Sequence, residues 1–472
     1  MPSTETSNLV CVNCKLRKKK CDKARPRCGY CARYDISLYG YSKNLDCQST
    51  STDVKYPKSR QLLASPSPVI RSSLLLAETL SAVLQDEPTN LHSIIYLQIL
   101  RIIRSTGQTI DEICHRYFRG MHSFIPILSA PQFHEQLIHL AAFPSATFSV
   151  LLLSMALVTY HPGLVLPSSG VDHATLYFTT KSLYTQAQGS FANSLPLIQA
   201  GIIIASYEYA TQRINEAFCS IGVCARMGYA AGLHLVSLTE ESHYCCQAAE
   251  RYNTWWGIVI TERTILCEVD IVPQPIISIF PEGDVSLPKE PISSKSDPNL
   301  FIDAVSRNYI AVDDYDGLAR VTHSIWLLDQ VLSASKVRDL GARLAQLVKL
   351  DYDLRACLEL SMERSAGRWG LFCTANAIVF REVIQSATGV ARSNSYVALD
   401  TVTQMVRDIA ATQHGITIGD MDMLPPSRAF VFRAALHYLD EFGTKCDRWD
   451  NVRTNLEASL TMFDQRWNAV SV

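Results

Sequence analysis

Six of the chain's 15 cysteines fall within residues 11–47, at Cys11, Cys14, Cys21, Cys28, Cys31 and Cys47. The spacing is C-x2-C-x6-C, a six-residue step, then C-x2-C-x15-C. A C-x2-C pair can close two thiolates on one metal from a tight turn, and two such pairs with further cysteines read as structural zinc. The first histidine is His92, so sulfur alone must supply the site. Four thiolates complete one tetrahedral ion. Six complete two ions only if two of the sulfurs bridge, because two tetrahedral ions need eight ligand positions.

The first arm is Cys11-x2-Cys14-x6-Cys21. A second arm of the same form, begun at Cys28-x2-Cys31, would end at position 38, which is Leu38. Removing Leu38–Asp46 (LYGYSKNLD) leaves Cys31-ARYDIS-Cys47 and restores x6. The reading is a repeated unit whose last arm carries a surface loop insertion. A single zinc on Cys11, Cys14, Cys28 and Cys31 is the simpler alternative, but it leaves Cys21 without a role.

Around these cysteines runs KLRKKKCDKARPRC, Lys15–Cys28, with eight Lys or Arg and one acid, Asp22. Residues 1–60 balance to +8 and the remainder to −10, although the whole chain is only −2. A basic head on an acidic body points to a polyanion partner for the head. Six thiolates and two zinc ions sum to −2, which adjacent cations offset. The outward-facing cations neutralise phosphates, and metal fixes a short basic helix that is marginal alone.

The pattern resembles the fungal zinc binuclear cluster transcription factors. It shares their paired C-x2-C-x6-C arms, their basic run (Lys15-Leu16-Arg17-Lys18-Lys19-Lys20-Cys21-Asp22) and their proline between the arms (Arg25-Pro26-Arg27). The resemblance implies two zinc ions. It makes Cys11 and Cys28 the bridging ligands, with Cys14 and Cys21 completing one ion and Cys31 and Cys47 the other. It also implies double-stranded DNA as partner, usually at a CGG triplet, read in the major groove from the end of the first helix. Lys18 and Arg17 then meet bases, and Lys15, Lys19, Lys20, Lys23 and Arg25 meet phosphates. Cys47 departs from the family's spacing.

The elements that follow must carry this head. Residues 48–85 read as a Ser/Thr/Pro-rich linker. It ends in a helix-like stretch, Ser72–Gln85, that is far short of three heptads and is expected to pack on the body. From about residue 89 helical periodicity dominates. In Glu250–Arg263, Tyr252, Trp255, Trp256 and Val259 share one face. In Glu216–Leu235, Phe218, Ile221 and Ala225 do so, with Gly232 as C-cap. Asp316–Leu350 reads as one or two amphipathic helices. The fold expected is mostly α: a zinc cluster module over 1–47, a linker, an all-α regulatory domain over 86–300 and a helical continuation over 301–472.

The body resembles the same family's regulatory region through Tyr117-Phe118, Pro126–Leu128, RMGYAAGLH at Arg226–His234, ERYNTWW, Thr261–Arg263 and Ser286–Pro288.

Ser145–His161 lies in a stretch free of Asp, Glu, Lys and Arg from Gln136 to Val171. At 17 residues, with several hydroxyls and no flanking Lys or Arg, it reads as a buried helix and not a membrane span. No signal peptide is expected of MPSTETSNLV. The nine later cysteines read as small core hydrophobes in a reducing compartment.

No H-E-x-x-H, G-x-S-x-G, P-loop or G-x-G-x-x-G is present, so no enzyme is expected. His234, Glu262 and the tryptophans read as satisfied core groups more readily than as a pocket. The function expected is a nuclear, zinc-dependent, sequence-specific transcription regulator. Family analogy extends this to a secondary-metabolite gene cluster. The alternative is a ligand-sensing or coregulator-docking helical protein with a degraded, weakly binding head. A homodimer and coregulators are partner expectations that the sequence leaves open.

Overall fold

A computed structural model describes Lys20 and residues 66–85, 90–161, 171–236, 246–269, 275–280, 317–335, 337–350, 353, 426, 428–442 and 448–467. The chain divides into two units, Met1–Pro66 and Ser67–Val472. In the second unit the described residues form helices and contain no strand.

The helices are α1 Pro68–Leu84, α2 Leu91–Thr106, α3 Ile110–Arg119, α4 Ala130–His139, α5 Ala146–Thr159, α6 His173–Phe191, α7 Leu195–Ala210, α8 Ile214–Ala230 and α9 Cys246–Leu266. Then come α10 Gly317–Ser335, α11 over 340–350, α12 Arg428–Phe442 and α13 Arg448–Trp467.

Local chemistry sets the starts of these helices. Ser67 caps α1 ahead of Pro68. Asn90 accepts from the Ser93 amide at 2.9 Å. Thr109 and Glu112 form a reciprocal capping box on α3, and Asp172 accepts from the Thr175 amide at 2.8 Å. Each satisfies amides that the helix itself leaves unpaired.

At the centre lie α5 and α7, packed on one another. Every residue of α5 is buried, as are 197–210 of α7. Around them, α2, α3 and α6 cover α5, while α8 and α9 cover α7. Helices apolar all round are stable only when surrounded in this way. The stretch free of charge around Ser145–His161 is thus the hub of the core. Among the described residues no helix is long and apolar enough to cross a membrane.

The compact unit begins at Ser67, so α1, placed by sequence at the end of the linker, packs on α6 and α2 of the body. Asp316–Leu350 resolves into two helices. Gly232 sits just past the end of α8 with φ +68°, and its amide donates to the Tyr229 carbonyl at 3.0 Å. This is the left-handed conformation that favours glycine after a helix.

Candidate metal centre and the polar hub of the body

All six candidate ligands, Cys11, Cys14, Cys21, Cys28, Cys31 and Cys47, lie outside the described residues. So do Lys15, Arg17, Lys18, Lys19, Lys23 and Arg25; Lys20 is described and exposed. Among the described residues no group of three or more His, Cys, Asp or Glu could hold a metal ion. Burial pushes the Cys114 thiol up to about 11 and the Cys224 thiol up to about 12. Both stay protonated at neutral pH, and metal and nucleophilic chemistry both need the thiolate. Cys114 and Cys224 are small core hydrophobes, as expected, whereas Cys219 is exposed.

In the body, the motifs at Pro126–Leu128 and Arg226–His234 converge on α9, which itself carries ERYNTWW and Thr261–Arg263; Ser286–Pro288 lies outside the described residues. The N-terminal half of α9 grips the backbone of Pro126–Leu128. The Asn253 amide donates to the Pro126 carbonyl at 3.4 Å. The Thr254 hydroxyl lies 3.4 Å from the Ile127 carbonyl, which also accepts from Gln199 of α7 at 2.8 Å. Glu250 accepts from the Ser129 amide at 3.2 Å and from Gln199 at 3.1 Å. Burial raises the Glu250 carboxyl above its usual range, and these two donors oppose that rise. Ile127 approaches so closely that a Cβ on Gly257 would stand 2.4 Å from its Cγ2.

The middle of α9 meets the RMGYAAGLH stretch. Trp255 packs edge-on against Tyr229, with ring centroids 5.0 Å apart, and His234 stands 4.7 Å from the same tyrosine. Arg251 donates to the Ala231 carbonyl at 2.7 Å, a cation at the C-terminus of α8 where the helix dipole favours it.

The C-terminal half of α9 straps down residues 275–280. Glu262 accepts from the Ile277 and Ser278 amides at 2.8 and 2.9 Å. Arg263 donates to the Ser278 hydroxyl and carbonyl at 2.7 and 2.6 Å, pairs with Glu262 at 2.6 Å and reaches Asp329 of α10 at 2.7 Å. Tyr229 donates to the Ile277 carbonyl at 2.8 Å, and Trp255 donates to that of Ile279 at 3.2 Å. Glu262 and Arg263 are 0% and 1% exposed. Breaking one partner of such a buried pair costs about 3–5 kcal/mol. The expectation that Glu262 is a satisfied core group holds. The face of Tyr252, Trp255, Trp256 and Val259 is buried too.

Glu208 of α7 went unread in the sequence. It is fully buried, yet accepts from the Tyr177 hydroxyl at 2.8 Å, Lys181 at 2.6 Å and Ser220 at 2.5 Å. The signal was present, because Glu208 is the one charged residue between Leu195 and Gln212. A lone charge in an apolar run must find donors. Here and at Glu262 the carboxylate oxygens are taken by donors of the fold. The arrangement fixes helix positions and presents no reacting group.

A family model of the fungal Zn(2)-Cys(6) binuclear cluster domain matches residues 9–52, and one of the fungal specific transcription factor domain matches residues 114–309. The chain carries both domains of the fungal zinc-cluster transcription factors. It is a zinc-binding, DNA-binding transcription regulator. The zinc-cluster match runs through Cys47, and six thiol donors with no histidine form a donor set suited to zinc. Transcription factor BOA15 of Botryotinia fuckeliana (strain B05.10) is 29% identical over 125 residues, which are 26% of this chain and 68% of that protein. No solved structure matches the chain. The regulator's helical unit extends past residue 309. Asp329 of α10 and Arg466 of α13, which donates to the Val158 carbonyl at 2.9 Å, both bond to residues of the matched domain.

Proposed function

We propose that this regulator holds two zinc ions on six cysteines and uses the head to read paired CGG-type half-sites in the nucleus, controlling a metabolite gene cluster. Cys11 and Cys28 bridge the ions, Cys14 and Cys21 complete one, and Cys31 and Cys47 complete the other. When bound, zinc closes the two arms into a fixed scaffold for the basic run. Lys18 and Arg17 read base edges. Lys15, Lys19, Lys20, Lys23 and Arg25 neutralise phosphates and set the register. The acidic body, at −10 beyond residue 60, repels DNA and leaves binding to the head.

The observation that carries this reading is the zinc-cluster match through Cys47, together with the x6 spacing that removal of Leu38–Asp46 restores. The test is zinc counting on the full chain by mass spectrometry under non-denaturing conditions, with selection of bound duplexes from a random pool. Two ions and an enriched CGG triplet are expected. One ion, or no enriched sequence, overturns the reading.

A further inference from the structure

The segment 275–280 is held as a bound peptide is held. It forms no helix, and among the described residues no main-chain group bonds Ile277, Ser278 or Ile279. Side chains of α8 and α9 take its main chain instead. The Ile277 amide donates to Glu262 at 2.8 Å, and the Ile277 carbonyl accepts from Tyr229 at 2.8 Å. The Ser278 amide donates to Glu262 at 2.9 Å, and its carbonyl accepts from Arg263 at 2.6 Å. The Ile279 amide donates to the Tyr229 hydroxyl at 3.1 Å, and its carbonyl accepts from Trp255 at 3.2 Å. Across Ile277–Ile279 every main-chain donor and acceptor is thus read by a side chain. The side chains of the segment are read as well. Ile277 fills a notch at Gly222, where a Cβ would stand 3.1 Å from its Cδ1. The Ser278 hydroxyl is shared by Glu262 and Arg263. Phe280 packs edge-on against Trp256, with centroids 5.5 Å apart, and the Arg263 guanidinium lies 5.3 Å from its ring. Ile279, by contrast, is 48% exposed.

We infer that α8 and α9 form a peptide-recognition groove in which the chain's own 275–280 is the resident occupant, and that an extended, uncharged segment of a partner protein, of the pattern Ile-Ser-x-Phe, displaces it. Main-chain bonds give such a groove affinity for any extended segment, and alternate side-chain pockets give it choice. The notch at Gly222 selects an aliphatic residue, the Glu262–Arg263 pair a hydroxyl, and Trp256 with Arg263 an aromatic ring. The position of Ile279 is free. Glu262 and Asp329 outweigh Arg263, so the floor is net negative and disfavours an acidic segment. The groove lies in the helical unit and its test uses no DNA, so it stands or falls apart from the reading of half-sites.

The groove cannot stand empty. Glu262, Arg263 and Trp255 are buried, and without a segment to bond they would be buried polar groups lacking partners. One occupant therefore leaves as another enters. Residues 267–274 tie 275–280 to the end of α9, which keeps its effective concentration high and makes it a standing competitor. A partner gains where the resident leaves surface open. Leu235 follows His234, whose ring stands 5.8 Å from Trp255, and Leu235 is 75% exposed. A longer partner segment that covers Leu235 buries apolar surface that 275–280 does not. Exchange of 275–280 between two copies replaces each bond by its equal and costs the freedom lost on association, so the occupant is a different protein.

The test uses the full chain and a fluorescent peptide of residues 275–280, PIISIF, extended by terminal lysines for solubility. Anisotropy reads binding. Ile277→Ala in the chain loosens the resident segment and leaves the groove intact, so the open fraction rises and the peptide should bind at least about tenfold tighter than to the wild type. A peptide with Asp in place of its serine, and one of scrambled order, should each bind at least about tenfold more weakly than PIISIF. A segment that is only structural gives a different result: Ile277→Ala lowers the melting temperature and no peptide binds saturably, which overturns the proposal. Equal binding of the scrambled peptide overturns it too. Should Ile277→Ala fail to fold, hydrogen exchange on the wild type decides. The amides of 277–279 are expected to exchange through openings that leave α9 protected, and exchange only together with α9 overturns the proposal. Self-association of the wild type that PIISIF abolishes would put a second copy in the groove and overturn the choice of partner.

Discussion

The guanidinium of Arg466 donates to the carbonyl of Val158, 308 residues earlier, at 2.9 Å. It also reaches the Tyr160 carbonyl at 3.3 Å, so the last helix delivers a cation to the C-terminus of the central α5. Trp467 beside it packs on Tyr207 of α7. Arg466 is 2% exposed, whereas Arg453 of the same helix is 38% exposed in its pair with Asp440. Arg466→Met should lower stability by about 1–3 kcal/mol, because buried carbonyls lose their donor. Arg453→Met should cost under about 1 kcal/mol. Urea midpoints of the two variants check this, and equal losses would mean that the C-terminal helix is not pinned through Arg466.

His173 predicts a pH dependence. Its Nε2 bonds the Tyr160 carbonyl at 2.7 Å, its Nδ1 is buried without a partner, and Arg466 lies nearby. Burial first, then that arginine, lowers its pKa to about 4. The unfolded chain protonates this residue near 6.5. The unfolded state therefore binds more protons between those values. The stability is fully present above about pH 6.5 and is lost as pH falls toward 4, by about 2 kcal/mol from this group between pH 7 and 5. His173→Asn should flatten that part of the curve. An unchanged slope in denaturation series at the two pH values would contradict the assignment.

How much of this was legible in the sequence depended on the range of the interaction. Helical faces such as Tyr252, Trp255, Trp256 and Val259 follow from spacing, and Gly232 follows from local backbone need. The motifs at 117–118, 126–128, 226–234 and 250–263 were visible one by one. What spacing cannot show is that 126–128 and 226–234 meet on the helix that carries 250–263, since that pairing is set by tertiary packing. Glu208 stands out as a lone charge in an apolar run, but which donors it meets, like the partners of Arg263, is set by tertiary packing. Gly257 likewise looks like a helix defect, whereas Ile127 stands 2.4 Å from where its Cβ would be. Gly257→Ala should therefore destabilise the body by about 1–3 kcal/mol, although alanine is the better helix former. A thermal melt showing stabilisation would contradict that contact.

For the head, Lys18 and Lys23 test the two kinds of contact proposed. Lys18→Ala should weaken specific binding by about 1–3 kcal/mol and relax sequence choice. Lys23→Ala should weaken all sequences alike and reduce the salt slope by about one unit. Titrations at several salt concentrations, on cognate and scrambled duplexes, read both. Equal loss of specificity in the two variants would mean that Lys18 does not read bases.

Cys47 decides whether the second arm is intact. A 15-residue loop costs only about 0.8 kcal/mol more chain entropy to close than a six-residue one, since (3/2)RT ln(15/6) sets the scale. Structural zinc binds with apparent free energies of about 10–16 kcal/mol, so the insertion is easily absorbed. The wild-type chain should therefore hold two ions. Cys47→Ala should lose one, or hold it far more weakly, and DNA affinity should fall with it, because the basic run depends on the closed scaffold. Removing Leu38–Asp46 should keep both ions. If Leu38 instead marks a lost ligand and Cys47 is a linker residue, the wild type holds one ion and Cys47→Ala changes nothing. Ion counts by mass spectrometry under non-denaturing conditions separate the two cases, and a count of one in both proteins would leave the head on Cys11, Cys14, Cys21, Cys28 and Cys31.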